Sequence, residues 1–374
     1  MSRKLHLIIF HPNLNTGGAE TQIINLINGL AIKNYSVTLA LYEVGEISYL
    51  KSILNKNIEI VNLQKKKYGY LGLIFNLLKL LNKNSNAILY SFLSSQNVIA
   101  LLLGSLSKNR KIIWGNRISS FPKGQFGFKG RISIFLEKIL SPRVDLIISN
   151  SKSGDETQKK IGFKPKNKTI IMNGIDTFKY SPNDNLRKKF RNELAIDKNE
   201  IIIGLVCRIV EWKGIETFIK AAKKISEKRE NITFVCVGSG NKKLFSFYKS
   251  LTLSFPSNKF NWLGEKSNIS EILNGLDILT SVSYYGEGFP NIIGEGMSVG
   301  VPIVATNVGD NSFVLKDSGI IIRPKNDNEL VNGWMKIIDD KKLKNNLIET
   351  AMHRVKTKFS LKEMINKSEK TLFL

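Results

Sequence analysis

The sequence predicts an α/β protein of two doubly wound, Rossmann-like domains, each a parallel sheet covered by helices on both faces. Three observations carry that reading. Short apolar runs without polar alternation recur along the chain between helix-length segments, as strands buried on both faces require. The series runs once, crosses a polar Lys/Asn-rich stretch from Tyr180 to Glu200, and starts again. The length of 374 residues is too great for one compact core and suits two domains of roughly 150–200 residues.

Leu5–Phe10 reads as the first strand, followed by a glycine loop and a helix from Ala19 to Leu30 with Ile23, Ile24, Ile27 and Leu30 at helical spacing. Val37–Tyr42, Ile58–Leu63, Ala87–Phe92, Lys111–Trp114 and Leu146–Ser149 follow as buried strands. The charge-free span from Asn84 to Ser107 has the length of a membrane span. Ser94-Ser95-Gln96-Asn97 interrupts it, however, and it divides into a strand (AILYSFL) and a helix (NVIALLLGSL). After the polar stretch, read as a solvated linker, come IIIGLVC, a helix over Ile215–Ile225, the strand ITFVCVG and a helix through Lys249. Strand Phe260–Leu263, helix Ile269–Asn274, strand Ile278–Ser281, a helix near 291–299 and strand Pro302–Thr306 complete the second series. The expected domains are 1–178 and 179–357, with a C-terminal helix at about 358–374 packed back on the first.

With 56 Lys+Arg against 31 Asp+Glu the chain carries a formal charge of +25. Residues 1–180 hold +17 of it, and no acid occurs between Glu59 and Glu137 against twelve basic residues. Such a field attracts phosphates, whether of nucleic acid, anionic lipid or a phosphorylated substrate. The 42% hydrophobic content and the lack of low-complexity tracts exclude disorder, collagen and coiled coil. Cys207 and Cys236 sit inside apolar runs and read as buried, reduced thiols. The first residues lack a secretion signal, which points to a cytoplasmic protein.

Ligands of open parallel sheets bind at the carboxyl ends of strands, so the loops there carry the chemistry. After Cys207 the chain reads Arg208-Ile209-Val210-Glu211-Trp212-Lys213-Gly214, two cations suited to bridging a diphosphate. After Ser281 comes Tyr284-Tyr285-Gly286-Glu287-Gly288-Phe289-Pro290-Asn291-Ile292-Ile293-Gly294-Glu295. Pro290 suits the first turn of a helix, Gly288 permits close backbone approach, and the helix start offers N–H groups to an oxyanion. Glu287 lies just before that helix, and Glu295, more than a turn inside, could take the vicinal hydroxyls of a ribose. At the N-terminus Asn15-Thr16-Gly17-Gly18-Ala19-Glu20 opens the first helix, with Gly17 and Gly18 clearing space for a phosphate or a sugar. Neither this loop nor Val237-Gly238-Ser239-Gly240 has the G-x-G-x-x-G spacing, which disfavours a nicotinamide dehydrogenase.

The ordered set GGAE (17–20), NGID (173–176), R-x-x-x-x-K-G (208–214), EGFPNIIGE (287–295) and GVPIVATNVG (300–309) resembles the retaining glycosyltransferases of family 4 over nearly the whole chain. The resemblance implies the GT-B fold, two Rossmann-like domains facing a cleft. It implies that Arg208 and Lys213 hold the donor diphosphate and stabilise the leaving nucleotide, and that Glu295 binds the ribose. Glu287 and the backbone of Phe289, Pro290 and Asn291 would hold the donor sugar, Gly17 and Gly18 would lie beside the donor phosphates, and the base would stack near Leu263-Gly264. No cofactor is expected. UDP is the more frequent donor nucleotide of the family, ahead of GDP, and the chain has no Asp-x-Asp to hold a metal.

Relatives often carry a histidine after a central strand of the first domain, where this chain has Ile113-Trp114-Gly115-Asn116-Arg117. Asn116 or Arg117 is the expected replacement at the acceptor or sugar. His11, at the end of the first strand, is either a solvated strand-end side chain or a third contact. Gly294 and Gly296 also stand where relatives have bulkier residues, weakening the helix by about 1 kcal/mol each. The basic, aromatic stretch 65–131, with Phe121, Phe126 and Phe128 in a Gly-rich loop, suits an anionic membrane surface. The chain shows no nucleic-acid recognition motif. The expected activity is metal-independent, retaining transfer of a hexose or N-acetylhexosamine to a lipid-linked saccharide of an O-antigen or capsule, at the inner face of the plasma membrane. A nucleotide-sugar epimerase or hydrolase on the same fold, and a non-catalytic membrane-associated partner, are the alternatives.

Overall fold

The computed structural model describes the chain apart from residues 1–4, 15–16, 46, 85, 108–110, 118, 121–126, 257 and 374. It divides into two units, Met1–Gly174 with Leu361–Leu374, and Ile175–Ser360. The first division falls a few residues before 178 because Ile175 already donates its amide to Phe359 O at 2.8 Å within the second unit.

In the first unit β1 (His6–His11), β2 (Ser36–Leu41), β3 (Ile58–Asn62), β4 (Ile88–Phe92), β5 (Ile112–Asn116), β6 (Leu146–Ser149) and β7 (Lys168–Ile170) form one sheet. The order is β3-β2-β1-β4-β5-β6-β7 and every pairing is parallel. Two-sided burial explains the unbroken apolar runs. Leu7 and Ile9 of β1 enter the core shared with helix Gly18–Ile32, and Ile8 and Phe10 enter the opposite core beneath helices Lys65–Lys83 and Ser94–Leu106. The C-terminal helix Leu361–Phe373 lies on helix Gly18–Ile32. There Ile365 fits over Gly29, where a Cβ would come within 2.2 Å of it, and Phe373 stacks on Tyr35 at 4.1 Å.

In the second unit β8 (Ile201–Val206), β9 (Ile232–Val237), β10 (Phe260–Trp262), β11 (Ile278–Ser281), β12 (Ile303–Thr306) and β13 (Ile320–Ile322) form a parallel sheet ordered β10-β9-β8-β11-β12-β13. Phe218 packs edge-on against Phe234, Phe260 and Trp334, and the buried indole of Trp334 donates to Thr280 Oγ1 at 3.0 Å. β7 and β13 escape sequence patterning because each is three residues long and lies at a sheet edge.

The stretch 180–200 is not a solvated linker. It contains helix Asp184–Glu193, capped by Asn183 and packed on helix Ile269–Gly275. Its composition is polar, but Phe190 is buried, and Arg187 and Arg191 both pair with Asp277. Arg191 also donates to the carbonyls of Asp197 and Glu200, so charges rather than an apolar stripe attach this helix. Both cysteines are free. Cys236 is buried, whereas Cys207, the first residue after β8, is half-buried where the chain enters the loop, although burial still pushes its thiol up to about 12.

Candidate active site

The winding of the second sheet reverses between β8 and β11, and the loops after these two strands carry the predicted charges. Glycines bring the loops together. Gly214 has φ +71°, and a Cβ there would lie 1.9 Å from Val282 O, so the turn Glu211–Lys213 rests directly on the segment after β11. Tyr284 donates its amide to Trp212 O at 2.7 Å and fixes that approach. Gly309, the last residue of GVPIVATNVG, has φ +56° and would place a Cβ 1.9 Å from Glu287 O. Two distant motifs therefore clamp the backbone around Glu287.

Lys213 donates to Glu287 Oε1, and the buried Ser283 hydroxyl donates to the same oxygen at 2.5 Å. Burial pushes the Glu287 carboxyl up, but the charge and hydrogen bond of Lys213, the Ser283 hydroxyl and the charge of Arg208 outweigh it. The net position is below the usual carboxylate range, so Glu287 is ionised. Arg208 is exposed, with its guanidinium 5.8 Å from the Trp212 ring, and Trp212 stacks on Tyr285 at 6.2 Å.

Pro290 is the N-cap of helix Asn291–Val299, one residue before the first turn expected for it. The Ile293 and Gly294 amides bond back to its carbonyl, which sets the helix start at Asn291. Phe289 turns its side chain into the core against Phe359 at 5.3 Å, leaving its backbone to the loop. Glu295 bonds the Tyr180 side chain, and Lys179 lies near. Burial pushes its carboxyl up to about 7, with Lys179 and Tyr180 opposing. The glycines flanking it have a packing reason: a Cβ on Gly294 would lie 2.7 Å from Ile175, and one on Gly296 2.5 Å from Leu279. Gly264, with φ +67° beyond β10, accepts the Gly238 amide at 2.8 Å and has open space where a Cβ would stand.

In the first unit, Gly17 caps helix Gly18–Ile32, and both glycines are exposed; Asn15 and Thr16 of that motif lie outside the described residues. His11 is not solvated. It is 1% exposed because β1 is covered on both faces to its last residue. Its Nδ1 donates to Asn13 O at 2.6 Å, leaving Nε2 as an acceptor with no partner among the described residues. Burial lowers the imidazole to about 4, the Asn13 bond opposing and Arg117 adding, so it is neutral near pH 7. Asn116 is buried at the end of β5 and donates to Ser149 Oγ at 3.2 Å. Arg117 donates to Asn173 Oδ1 at 3.0 Å and lies 5.2 Å from the centroid of the Phe92 ring. Among the described residues no carboxylate pairs with it and its Nε has no acceptor. Phe121 and Phe126 lie outside the described residues, and Phe128 belongs to a helix, Phe128–Leu140, rather than to a loop.

Sequence reasoning missed Ser283, Trp212, Tyr180 and Lys179 as members of the site. Ser283 left a signal, a second hydroxyl residue two positions beyond Ser281 at a strand end; Tyr180 and Lys179 were hidden at the margin of the polar stretch. Among the described residues no group of three His, Cys, Asp or Glu side chains could hold a metal ion.

The family model for glycosyl transferases group 1 matches residues 187–354, and that for Glycosyltransferase Family 4 matches residues 16–179. The chain is 26% identical over 366 residues to a Campylobacter jejuni N-acetylgalactosamine-N,N'-diacetylbacillosaminyl-diphospho-undecaprenol 4-alpha-N-acetylgalactosaminyltransferase, covering 93% of this chain and 94% of that one. It is 26% identical over 253 residues to the capsular polysaccharide biosynthesis glycosyltransferase CapM of Staphylococcus aureus, covering 63% of each. Among solved structures, Anabaena HepE in complex with UDP-glucose superposes with a TM-score of 0.84 at 19% identity, over 98% of this chain and 99% of that one.

Proposed function

We infer that this chain, which belongs to the family 4 glycosyltransferases and has the GT-B fold, is a retaining, metal-independent enzyme. It moves a hexose or N-acetylhexosamine from a UDP-sugar to a lipid-linked saccharide in the synthesis of an O-antigen or capsule. The observation that carries this reading is the Lys213–Glu287–Ser283 cluster with Arg208 at the switch point of the second sheet. Departure of the nucleotide develops about two negative charges on the diphosphate, and the two cations stabilise them in place of a metal. Glu287, held ionised, accepts hydrogen bonds from the donor sugar's hydroxyls. The acceptor hydroxyl attacks the anomeric carbon from the face the diphosphate is leaving. Its oxygen forms the new C–O bond as the sugar–phosphate bond breaks with its electron pair, and a phosphate oxygen takes the proton.

The UDP-glucose complex of the Anabaena protein supports a UDP-sugar, and the diphospho-undecaprenol in the name of the Campylobacter relative supports a lipid-linked acceptor. The excess charge of residues 1–180 supports peripheral attachment of the first unit to the anionic inner face of the plasma membrane through basic residues 65–131. Lys108, Arg110 and Lys123 of that stretch lie outside the described residues.

The test offers a panel of UDP- and GDP-sugars with extracted lipid-linked saccharides, follows acceptor mass with and without chelator, and reads the product's anomeric proton by NMR. One added sugar, in the anomeric configuration of the donor and unaffected by chelator, is expected. Donor consumed equally without acceptor identifies a hydrolase or epimerase instead, and loss of transfer on chelation overturns metal independence.

A further inference from the structure

Helix Phe128–Leu140 turns most of its large apolar side chains to solvent, the opposite of what a surface helix of a water-soluble protein shows, with Leu140 packed on the core at its C-terminal end. Its one buried residue is an acid, Glu137, which accepts from Asn97 Nδ2 at 2.6 Å and from the Ser94 side chain. Asn97 in turn accepts from Ser91 Oγ of β4 at 2.8 Å, so a polar latch ties the inner face of the helix to the sheet. The outward stripe is Phe128, Ile132, Phe135, Leu136 and Ile139, at spacings of four, three, one and three residues along one side of the helix. Phe128 is 80% exposed and Phe135 58%.

The apolar surface continues onto two neighbours. Helix Ser94–Leu106, packed beside it, exposes Leu102 and Leu106, and helix Lys65–Lys83, packed on that one, exposes Leu71 and Phe75. Exposed apolar side chains gathered on three helices packed in series are the signature of an interaction face. Charge selects the partner. Lys129, Arg131 and Lys138 flank the stripe, Lys65, Lys66 and Lys67 open the third helix, and no acid but the inward Glu137 lies between Glu59 and Asp145. Thirteen helical residues span about 20 Å, too short to cross a bilayer, and none of the described helices is long and apolar enough to do so.

We propose that helix Phe128–Leu140 is an interfacial membrane anchor. Its Phe/Ile/Leu stripe, with the adjoining leucines and Phe75, enters the boundary between headgroups and acyl chains of an anionic bilayer, and Glu137 keeps the opposite face on the protein. The inference deepens the peripheral attachment proposed above and rests on it, but it replaces an attraction of charges alone with insertion of named side chains.

Binding to vesicles of phosphatidylglycerol and phosphatidylethanolamine, against phosphatidylcholine alone, tests it with the full chain and needs neither donor nor acceptor. The variant Phe135→Ser/Ile139→Ser leaves the charge unchanged and alters only exposed positions. It should keep the wild-type melting temperature while its partitioning into anionic vesicles falls at least about tenfold. Wild-type binding should persist in part at high salt, and a Phe135→Trp variant should gain blue-shifted emission quenched by brominated lipid. Equal binding by the double variant, or wild-type binding fully reversed by salt, overturns insertion while leaving electrostatic attachment and transfer intact. A double variant that changes from dimer to monomer, with no vesicle binding by the wild type, overturns it in favour of a protein interface. Loss of transfer in Glu287→Ala with vesicle binding retained leaves the anchor standing.

Discussion

At the carboxyl edge of the six-stranded sheet the charged groups satisfy one another: Lys213 and Ser283 share one oxygen of Glu287, and glycines 214 and 309 press the backbone around them. At the same edge of the seven-stranded sheet, Arg117 rests on Phe92 with an amide for a partner, and the buried His11 presents an Nε2 with no partner among the described residues. A buried charge without a counter-ion costs several kcal/mol, whereas a paired, hydrogen-bonded one is tolerated. The second unit thus holds a preorganised cluster, which the proposed function assigns to the donor. The first holds polar groups left with fewer partners, which the same proposal assigns to the acceptor and which a bound ligand would complete.

The largest effect belongs to the paired edge. Glu287→Ala and Lys213→Ala should each lower transfer by at least about 10²- to 10³-fold, measured with saturating donor, with circular dichroism unchanged. Normal turnover by either variant would mean that the pair is a structural bond and that the donor site lies elsewhere.

The next prediction separates the edges by the sign of a stability change. Lys213→Met strands an ionised Glu287 and should lower the melting temperature. Arg117→Met removes a half-buried cation that no carboxylate among the described residues answers and should leave the melting temperature equal or higher. Loss of its hydrogen bonds should still slow transfer about 10- to 100-fold at unchanged donor KM. A strongly destabilised Arg117→Met, with transfer lost only in proportion to unfolding, erases the contrast.

Glu295 refines the picture within the second unit, because burial raises its carboxyl and Lys179 and Tyr180 oppose that only in part. Its folded-state position near 7 lies above the ordinary 4.5, so the folded protein binds the extra proton. Its contribution to stability is present below pH 4.5 and is lost as pH rises through about 7. On the proposed assignment of Glu295 to the ribose, whose hydroxyls would donate to the ionised form, affinity for UDP-glucose should move the other way and rise about tenfold between pH 6 and 8. Isothermal titration across that range checks it, and Glu295→Gln should flatten both trends. An equal pH dependence in the glutamine variant removes Glu295 from the ribose.

The contrast also explains which parts of the molecule could be read from residues alone. The paired edge is built from backbone constraints, and these leave glycines and prolines at fixed spacing: Gly214, Gly288, Pro290 and Gly309 are visible before any coordinates. The longer strands were equally visible, since burial on both faces demands unbroken apolar runs such as Leu7–Phe10, whereas the three-residue edge strands β7 and β13 were not. The open edge is built from side-chain burial, which composition does not reveal. His11 looks like any strand-end histidine until helices cover both faces of β1. Arg117 is one of twelve basic residues in an acid-free stretch, and only the Phe92 ring beneath it sets it apart. Helix Asp184–Glu193 was hidden for a related reason, since Arg187 and Arg191 attach it through Asp277 and a polar helix carries little apolar periodicity.

Arg208 resembles its counterpart in the first unit more than it resembles Lys213. Among the described residues it forms no ion pair, and an aromatic ring, Trp212, lies against its guanidinium as Phe92 lies against that of Arg117. The difference is exposure: Arg208 stands in solvent, so the ring restrains its direction at little cost in desolvation, and the Tyr285 stack restrains the ring. A restraint of this kind at an exposed site is worth about 0.5–1 kcal/mol. Trp212→Ala should therefore weaken UDP-glucose binding and slow transfer by only about two- to fivefold, while Trp212→Phe restores most of both. The alanine variant should also show a steeper loss of binding with added salt, since an unrestrained guanidinium is more easily screened. A thousandfold loss in Trp212→Ala would place the tryptophan against the substrate itself, and no loss would leave Arg208 oriented by the diphosphate alone.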